Sequence, residues 1–254
     1  MSIANVRSAG GIEISYRDSG AGSGTAELPP VVLVHGMGGD SGTWDRFARA
    51  LRSRDRRVVS VDLRGHGRSA RASSYLFEEF AADIMDVCDH LELDHVDLVG
   101  HSLGGHAASL IAQRRTTGVR KLVIEEAPLP LRPGDPEQVF SRKLPSMSEL
   151  WHATTSLVRH PRAALAFDKS MTGSALTQFR QPDQLWWESL PLIEADTLFL
   201  RGGLGGMVDS DRLREVSATV KRCEVRSFRT GHSVHRDGYR EFEAAVVPDR
   251  KSVV

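Results

Sequence analysis

Short apolar runs recur along this chain at residues 31–34, 58–61, 96–99, 122–124, 198–200 and, more weakly, 223–228, and segments of helical periodicity separate most of them. A strand that is apolar at every position is buried on both faces. Such strands alternating with helices form a parallel sheet joined by right-handed crossovers. The best helical segments are 77–91, 103–114, 210–220 and 239–246. Period-two alternation from Ile12 to Tyr16, preceded by Gly10-Gly11, adds an N-terminal hairpin whose first strand begins near Ile3. The pattern predicts an α/β fold, and 254 residues suit one such domain with a modest insertion.

That insertion interrupts the rhythm between residues 128 and 191, which hold three of the four tryptophans, Trp151, Trp186 and Trp187. So long a stretch without a sheet strand is too much for an ordinary loop, so a small helical cap is expected there. The core domain is then 1–127 with 192–254. Adjacent tryptophans cannot easily face the same way. One of Trp186 and Trp187, together with Trp151, is expected to line a substrate pocket, and Trp44 to pack in the core.

Lys and Arg balance Asp and Glu at 33 each, which gives no basic surface suited to nucleic acid. No run approaches the ~18 to 20 apolar residues of a membrane span, and the first eight residues lack an apolar signal core, so a cytoplasmic protein is expected. The two cysteines, Cys88 and Cys223, lie far apart and are expected to be reduced and buried. None of the ten histidines pairs with a carboxylate at metal-ligand spacing on a helix face, so neither metal nor cofactor is expected.

The run at 96–99 leads directly into Gly100-His101-Ser102-Leu103-Gly104, and a helix leaves it. A serine between glycines at a strand-to-helix junction fits a tight turn that exposes its hydroxyl above a helix N-terminus. Acyl transfer needs a nucleophile, a base, an acid that orients the base, and donors for an oxyanion. Ser102 is the nucleophile candidate. His232, preceded by Gly231 and following the last strand, is the base, in preference to His235. The backbone amides of Leu103 and Met37 are the oxyanion donors, with Gly36 and Gly38 letting the backbone approach a substrate.

Four features in order resemble the α/β-hydrolase superfamily across nearly the whole chain: His35-Gly36-Met37-Gly38-Gly39, the block from Asp62 to Ser69, the turn at Gly100 to Gly104, and Gly231-His232. The resemblance implies an eight-stranded, mostly parallel sheet flanked by helices, with the cap between strands 6 and 7. It also implies that Asp62, Arg64 and His66 tie a structural turn, that His35 braces the oxyanion loop, that His101 points away from the reacting centre, and that His106 packs. In many relatives the acid is an aspartate beyond the seventh strand, where this chain has Gly205. Some haloalkane dehalogenases and zearalenone-type lactonases resemble another solution, with the acid at the end of the preceding strand. Alignment from Lys121-Leu122 puts Glu126 there. Asp209 is the runner-up, and Glu125 or Asp211 stay open behind it.

A serine at the turn argues against the family's dehalogenases and epoxide hydrolases, which need a carboxylate. What the resemblance implies is a serine hydrolase cleaving a carboxylic ester or lactone of a small, largely apolar substrate, as a monomer or homodimer. The alternatives are a carbon–carbon bond hydrolase of ring-fission type and a noncatalytic small-molecule receptor.

Overall fold

Eight strands form one sheet, in the order β1-β2-β4-β3-β5-β6-β7-β8. They are β1 (Ser2–Arg7), β2 (Glu13–Asp18), β3 (Val31–Val34), β4 (Val58–Val61), β5 (Val96–His101), β6 (Val119–Glu125), β7 (Asp196–Arg201) and β8 (Cys223–Ser227). The structure is a computed structural model that describes residues 1–20, 28–136, 154 and 167–247. The β1–β2 hairpin is antiparallel and joins β4 antiparallel, whereas every pairing from β4 through β3, β5, β6 and β7 to β8 is parallel. The carboxyl ends of the parallel strands therefore share one edge of the sheet, where α/β folds bind their ligands.

The all-apolar runs are buried strands for a simple reason: a helical layer covers each face. On one face Val31, Leu33, Val58, Val99, Val123 and Leu200 pack with α1 (Asp45–Arg52) and α8 (Tyr239–Val246). On the other, Val32, Val34, Leu98, Leu122 and Ile124 pack with α2 (Phe77–His90), α3 (Leu103–Arg114) and α6 (Ser210–Thr219). Each fully buried Val or Leu side chain contributes about 1.5–3 kcal/mol relative to exposure. Helix α1 was not among the expected helices, although Phe47, Ala48 and Leu51 form its buried stripe. None of the described helices is long and apolar enough to cross a membrane.

Between β6 and β7 the described residues form α4 (Ser170–Arg180) and α5 (Gln184–Glu188). Met171, Ala175, Phe179, Trp186 and Trp187 join the same core cluster as α2 and α3, so this part of the insertion is fastened to the sheet domain. The tryptophan pair, of which one member is expected to line a pocket, is held in the core. Trp186 Nε1 donates to Ser109 Oγ on α3 at 2.9 Å, and Trp187 Nε1 donates to the Pro130 carbonyl at 3.1 Å under the Arg132 guanidinium. Both rings are buried and both N–H groups are used, which makes the pair a fastener. Trp151 lies outside the described residues. Cys88 is buried as expected, but Cys223 is only half-buried on the edge strand, and both thiols are free.

Asp62, Arg64 and His66 tie the turn after β4 to its surroundings. Asp62 accepts from the amides of Ser41 at 2.6 Å and Arg68 at 3.0 Å, and Arg64 grips Asp83 of α2 through Nε and Nη2 at 2.6 and 2.9 Å. Arg64→Ala leaves the Asp83 carboxylate buried without that partner. It is expected to cost about 3–5 kcal/mol in urea unfolding, and a loss below about 1 kcal/mol would show that the pair does not hold the turn to α2.

Candidate active site

The chain turns sharply where β5 ends. Ser102 has φ +52°, a conformation that side-chain-bearing residues rarely adopt, and it opens α3. Three close approaches explain the flanking glycines. A Cβ on Gly100 would lie 2.3 Å from the Gly104 carbonyl oxygen, one on Gly104 2.5 Å from the His35 carbonyl oxygen, and one on Gly36 3.0 Å from Ser102 Cβ. The loop after β3 is thus laid directly against Ser102. Leu103 is the first residue of α3, so its amide belongs to the first turn, whose N–H groups lack an intrahelical acceptor. The Met37 side chain is exposed and is not core filler.

Two neutral imidazoles hold that loop. His35 Nε2 accepts from the Leu63 amide at 3.1 Å while its Nδ1–H donates to the Gly36 carbonyl at 2.8 Å. His66 Nε2 accepts from the Gly38 amide at 3.1 Å while its Nδ1–H donates to the Arg64 carbonyl at 2.9 Å. The hydrogen bonds assign the tautomers, and burial lowers both pKa values, that of His66 to about 3. His35 is therefore a brace, as the resemblance implied. The Gly38 amide is occupied by His66.

At the end of the neighbouring strand, Glu126 also has positive φ, +48°, which turns its side chain out of the strand's alternation. Its carboxylate is fully buried and accepts from the Gly202 amide at 2.5 Å and the Met207 amide at 2.6 Å. His232 Nδ1 lies 3.5 Å from Glu126 Oε2, longer than a hydrogen bond, and has no hydrogen-bond partner among the described residues. The glycines after β7 now have a reason. A Cβ on Gly206 would lie 2.5 Å from Glu126 Oε1, and one on Gly202 would collide with the Gly231 carbonyl oxygen. The loop that carries an aspartate in many relatives is here emptied for a carboxylate arriving from β6.

The other acids lie elsewhere. Asp209 is exposed and caps α6, accepting from the amides of Asp211 and Arg212 at 3.0 and 2.9 Å, and Asp211 pairs with Arg214. Glu125 points to the opposite side of β6 from Glu126 and meets His235 instead. One of its oxygens is 2.8 Å from His235 Nδ1, and its other oxygen also accepts from the His235 amide at 2.9 Å. His235 stacks on Trp44 with centroids 4.2 Å apart, so its ring belongs to the α1 face. Sequence reasoning missed this pair. The consecutive glutamates and the His-x-x-His spacing were the available signal.

His101 is the last residue of β5, next to Ser102. Its ring is buried between these parts, with its centroid 4.7 Å from that of His232 and 5.1 Å from that of His235, and its Nε2–H donates to the His232 carbonyl at 2.8 Å. Burial lowers its pKa well below the ordinary range. Its bond to the His232 carbonyl supports the loop that carries His232. His101, Glu125 and His235 also offer donor atoms within 4.8 Å of one another, the one grouping of metal-ligand type among the described residues. Those atoms are committed to each other and to the His232 carbonyl.

A model of the alpha/beta hydrolase fold family matches residues 29–191. The chain is 30% identical over 257 residues to the 2-hydroxy-6-oxo-2,4-heptadienoate hydrolase of Pseudomonas putida, covering 92% of this chain and 91% of that protein. It is 26% identical to the sn-1-specific diacylglycerol lipase ABHD11 of Mus musculus over 88% of this chain and 81% of that one. Among solved structures, an esterase from Exiguobacterium antarcticum superposes with a TM-score of 0.80 at 23% identity, covering 98% of this chain and 99% of that one.

On α3, His106 lies edge-on to Phe77 and Phe179 and is stacked on Trp186, and burial lowers its pKa to about 3. An unfolded histidine binds its proton near 6.5, so between pH 6.5 and about 3 the unfolded chain holds protons that folded His66 and His106 do not. Stability is fully present above that window and falls as pH drops through it, by up to about 1.4 kcal/mol per pH unit for each group. His106→Phe removes one titrating group and keeps the ring packing. Urea unfolding between about pH 7 and about pH 5 is expected to show a shallower slope in the variant, and an unchanged slope would contradict the assignment.

Proposed function

Because this chain belongs to the α/β-hydrolase family and is a hydrolase, we propose that it cleaves carboxylic esters or lactones of small, largely apolar substrates through an acyl-enzyme on Ser102. What supports the reading is that Ser102 stands in a strained turn at the end of β5, that His232 faces the buried Glu126 carboxylate, and that His101, the residue before Ser102, is bonded to the His232 carbonyl.

In this reading His232 Nε2 removes the Ser102 proton as Oγ attacks the carbonyl carbon, and Glu126 holds the imidazole by its Nδ1–H and stabilises the imidazolium that forms. The amides of Leu103 and Met37 receive the negative oxygen of the tetrahedral intermediate. Collapse expels the alcohol, which takes the proton from His232. Water then enters, gives a proton to His232 and attacks the acyl carbon. Return of that proton to Ser102 Oγ releases the acid. The 3.5 Å gap between His232 and Glu126 suits a site without substrate, because such bonds tighten in the reacting complex.

A second reading, hydrolysis of a carbon–carbon bond next to a ketone, is favoured by the likeness to the P. putida hydrolase. The same serine and histidine would serve it. Turnover of p-nitrophenyl esters of increasing acyl length, set beside turnover of a 2-hydroxy-6-oxo-dienoate, separates the two. The ester reading expects the higher kcat/KM on an ester, and a preference for the dienoate would replace it. Under either reading Ser102→Ala abolishes turnover and fluorophosphonate labelling, and Glu126→Gln lowers kcat by about 10²- to 10⁴-fold. Near-normal kcat in Glu126→Gln would remove Glu126 from the mechanism.

A further inference from the structure

The molecule contains a second acid–imidazole pair directly beneath the first. Glu125 ends β6 and Glu126 follows it, His232 lies on the loop after β8 and His235 three residues on in the short helix that follows, and each glutamate faces one histidine. The two pairs differ in kind. Glu126 faces a half-buried imidazole across 3.5 Å, whereas Glu125 and His235 are both buried and are bound at 2.8 Å.

Three contacts hold the backbone that carries the two histidines, and the second connects the buried pair to the outer one. Glu125 anchors the start of the short helix α7 (Val234–Asp237) by accepting from both the backbone and the ring of His235. His101, packed against the His235 ring, donates to the carbonyl of His232. The Gly231 amide donates to the Gly202 carbonyl at 3.0 Å, so the loop is held on both sides of His232. His101 also sits against the oxyanion loop, since a Cβ on Gly36 would lie 2.7 Å from its Nδ1. One buried ring therefore touches the loops that carry the proposed base and the proposed oxyanion donors.

We propose that Glu125, His235 and His101 are positioning residues for the reaction at Ser102: the buried Glu125–His235 pair fixes α7, and His101 transmits that position to the His232 backbone, keeping the imidazole in line with Ser102 and Glu126. This rests on the serine-hydrolase reading given above. Burying a carboxylate costs free energy that packing alone would not repay, and Glu125 has its pKa raised by burial, opposed by His101, the His235 amide and His232. The other charged groups around it are Glu126 on its own strand and Arg236 on α7, which in turn also feels Asp40.

The test compares Glu125→Gln with wild type, with Ser102→Ala, and with Val216→Ala, a buried core position on α6 that serves as a control for lost stability. All are assayed on the best p-nitrophenyl ester well below their melting temperatures. The expected result is a kcat lowered on the order of 10- to 100-fold in Glu125→Gln with KM within about threefold, and a parallel loss in fluorophosphonate labelling rate, while Val216→Ala keeps the wild-type kcat. A kcat within about twofold of the control overturns the proposal and leaves the pair a stabilising feature only. If Glu125→Gln does not fold, His101→Ala, which keeps both partners of the Glu125–His235 pair and removes the His101 ring with its bond to the His232 carbonyl and its packing beside Gly36, carries the same expectation and the same contrary result. Unchanged turnover in Ser102→Ala would instead sink the serine reading itself, so the two failures are distinguishable.

Discussion

The ends of β5 and β6 are joined by one hydrogen bond that everything at the site depends on: the Ser102 amide donates to the Glu125 carbonyl at 2.8 Å. It locks the turn that lifts Ser102 out of its strand to the turn that swings Glu126 out of its own. Both residues have positive φ, and such conformations cost about 1–3 kcal/mol each when a side chain is present. The surroundings over-determine them. Parallel register aligns His101 with Glu125, the Glu126 amide donates to the Leu200 carbonyl, and glycines at 100 and 104 allow strand and helix to meet without a Cβ between them.

From that junction the carboxylates diverge. Glu126 reaches across to β7 and is caught by the amides of Gly202 and Met207, which stabilise its negative charge and hold one oxygen toward His232. Glu125 faces the other side and is caught by His235. Two consecutive side chains, the last of β6 and the first beyond it, thus reach the backbone around His232 from two directions. On the other flank His35 and His66, both kept neutral by burial, hold the loop after β3 against Ser102.

Much of this was legible in the residues. The valine-rich runs marked the parallel strands because burial on both faces admits no polar alternation, and glycines around Ser102 marked the turn because only glycine fits there. Glycine at position 205, where the resemblance implies an aspartate, put the usual acid in doubt, and the structure adds why Gly206 is glycine: the Glu126 carboxylate occupies the space. What was not legible depends on long-range contact. The packing of Trp186 and Trp187 is set by N–H bonds to Ser109 and Pro130, residues far away in sequence. The Glu125–His235 pair spans 110 residues of chain, and the role of His101 follows only from which carbonyl lies above its ring. Helix α1 is a charged segment with a narrow apolar stripe, weak as a pattern and decided by the sheet face it covers.

The central claim is that the acid serving His232 arrives from β6 as Glu126. The most direct measurement is the distance from His232 Nδ1 to Glu126 Oε2 in a crystal structure of the protein after Ser102 has been phosphonylated, a state that mimics the charged intermediate. The account predicts contraction from 3.5 Å to a charge-assisted hydrogen bond of about 2.7–2.9 Å. An imidazole that turns away from Glu126 in that adduct, or bonds to a different carboxylate, would contradict it.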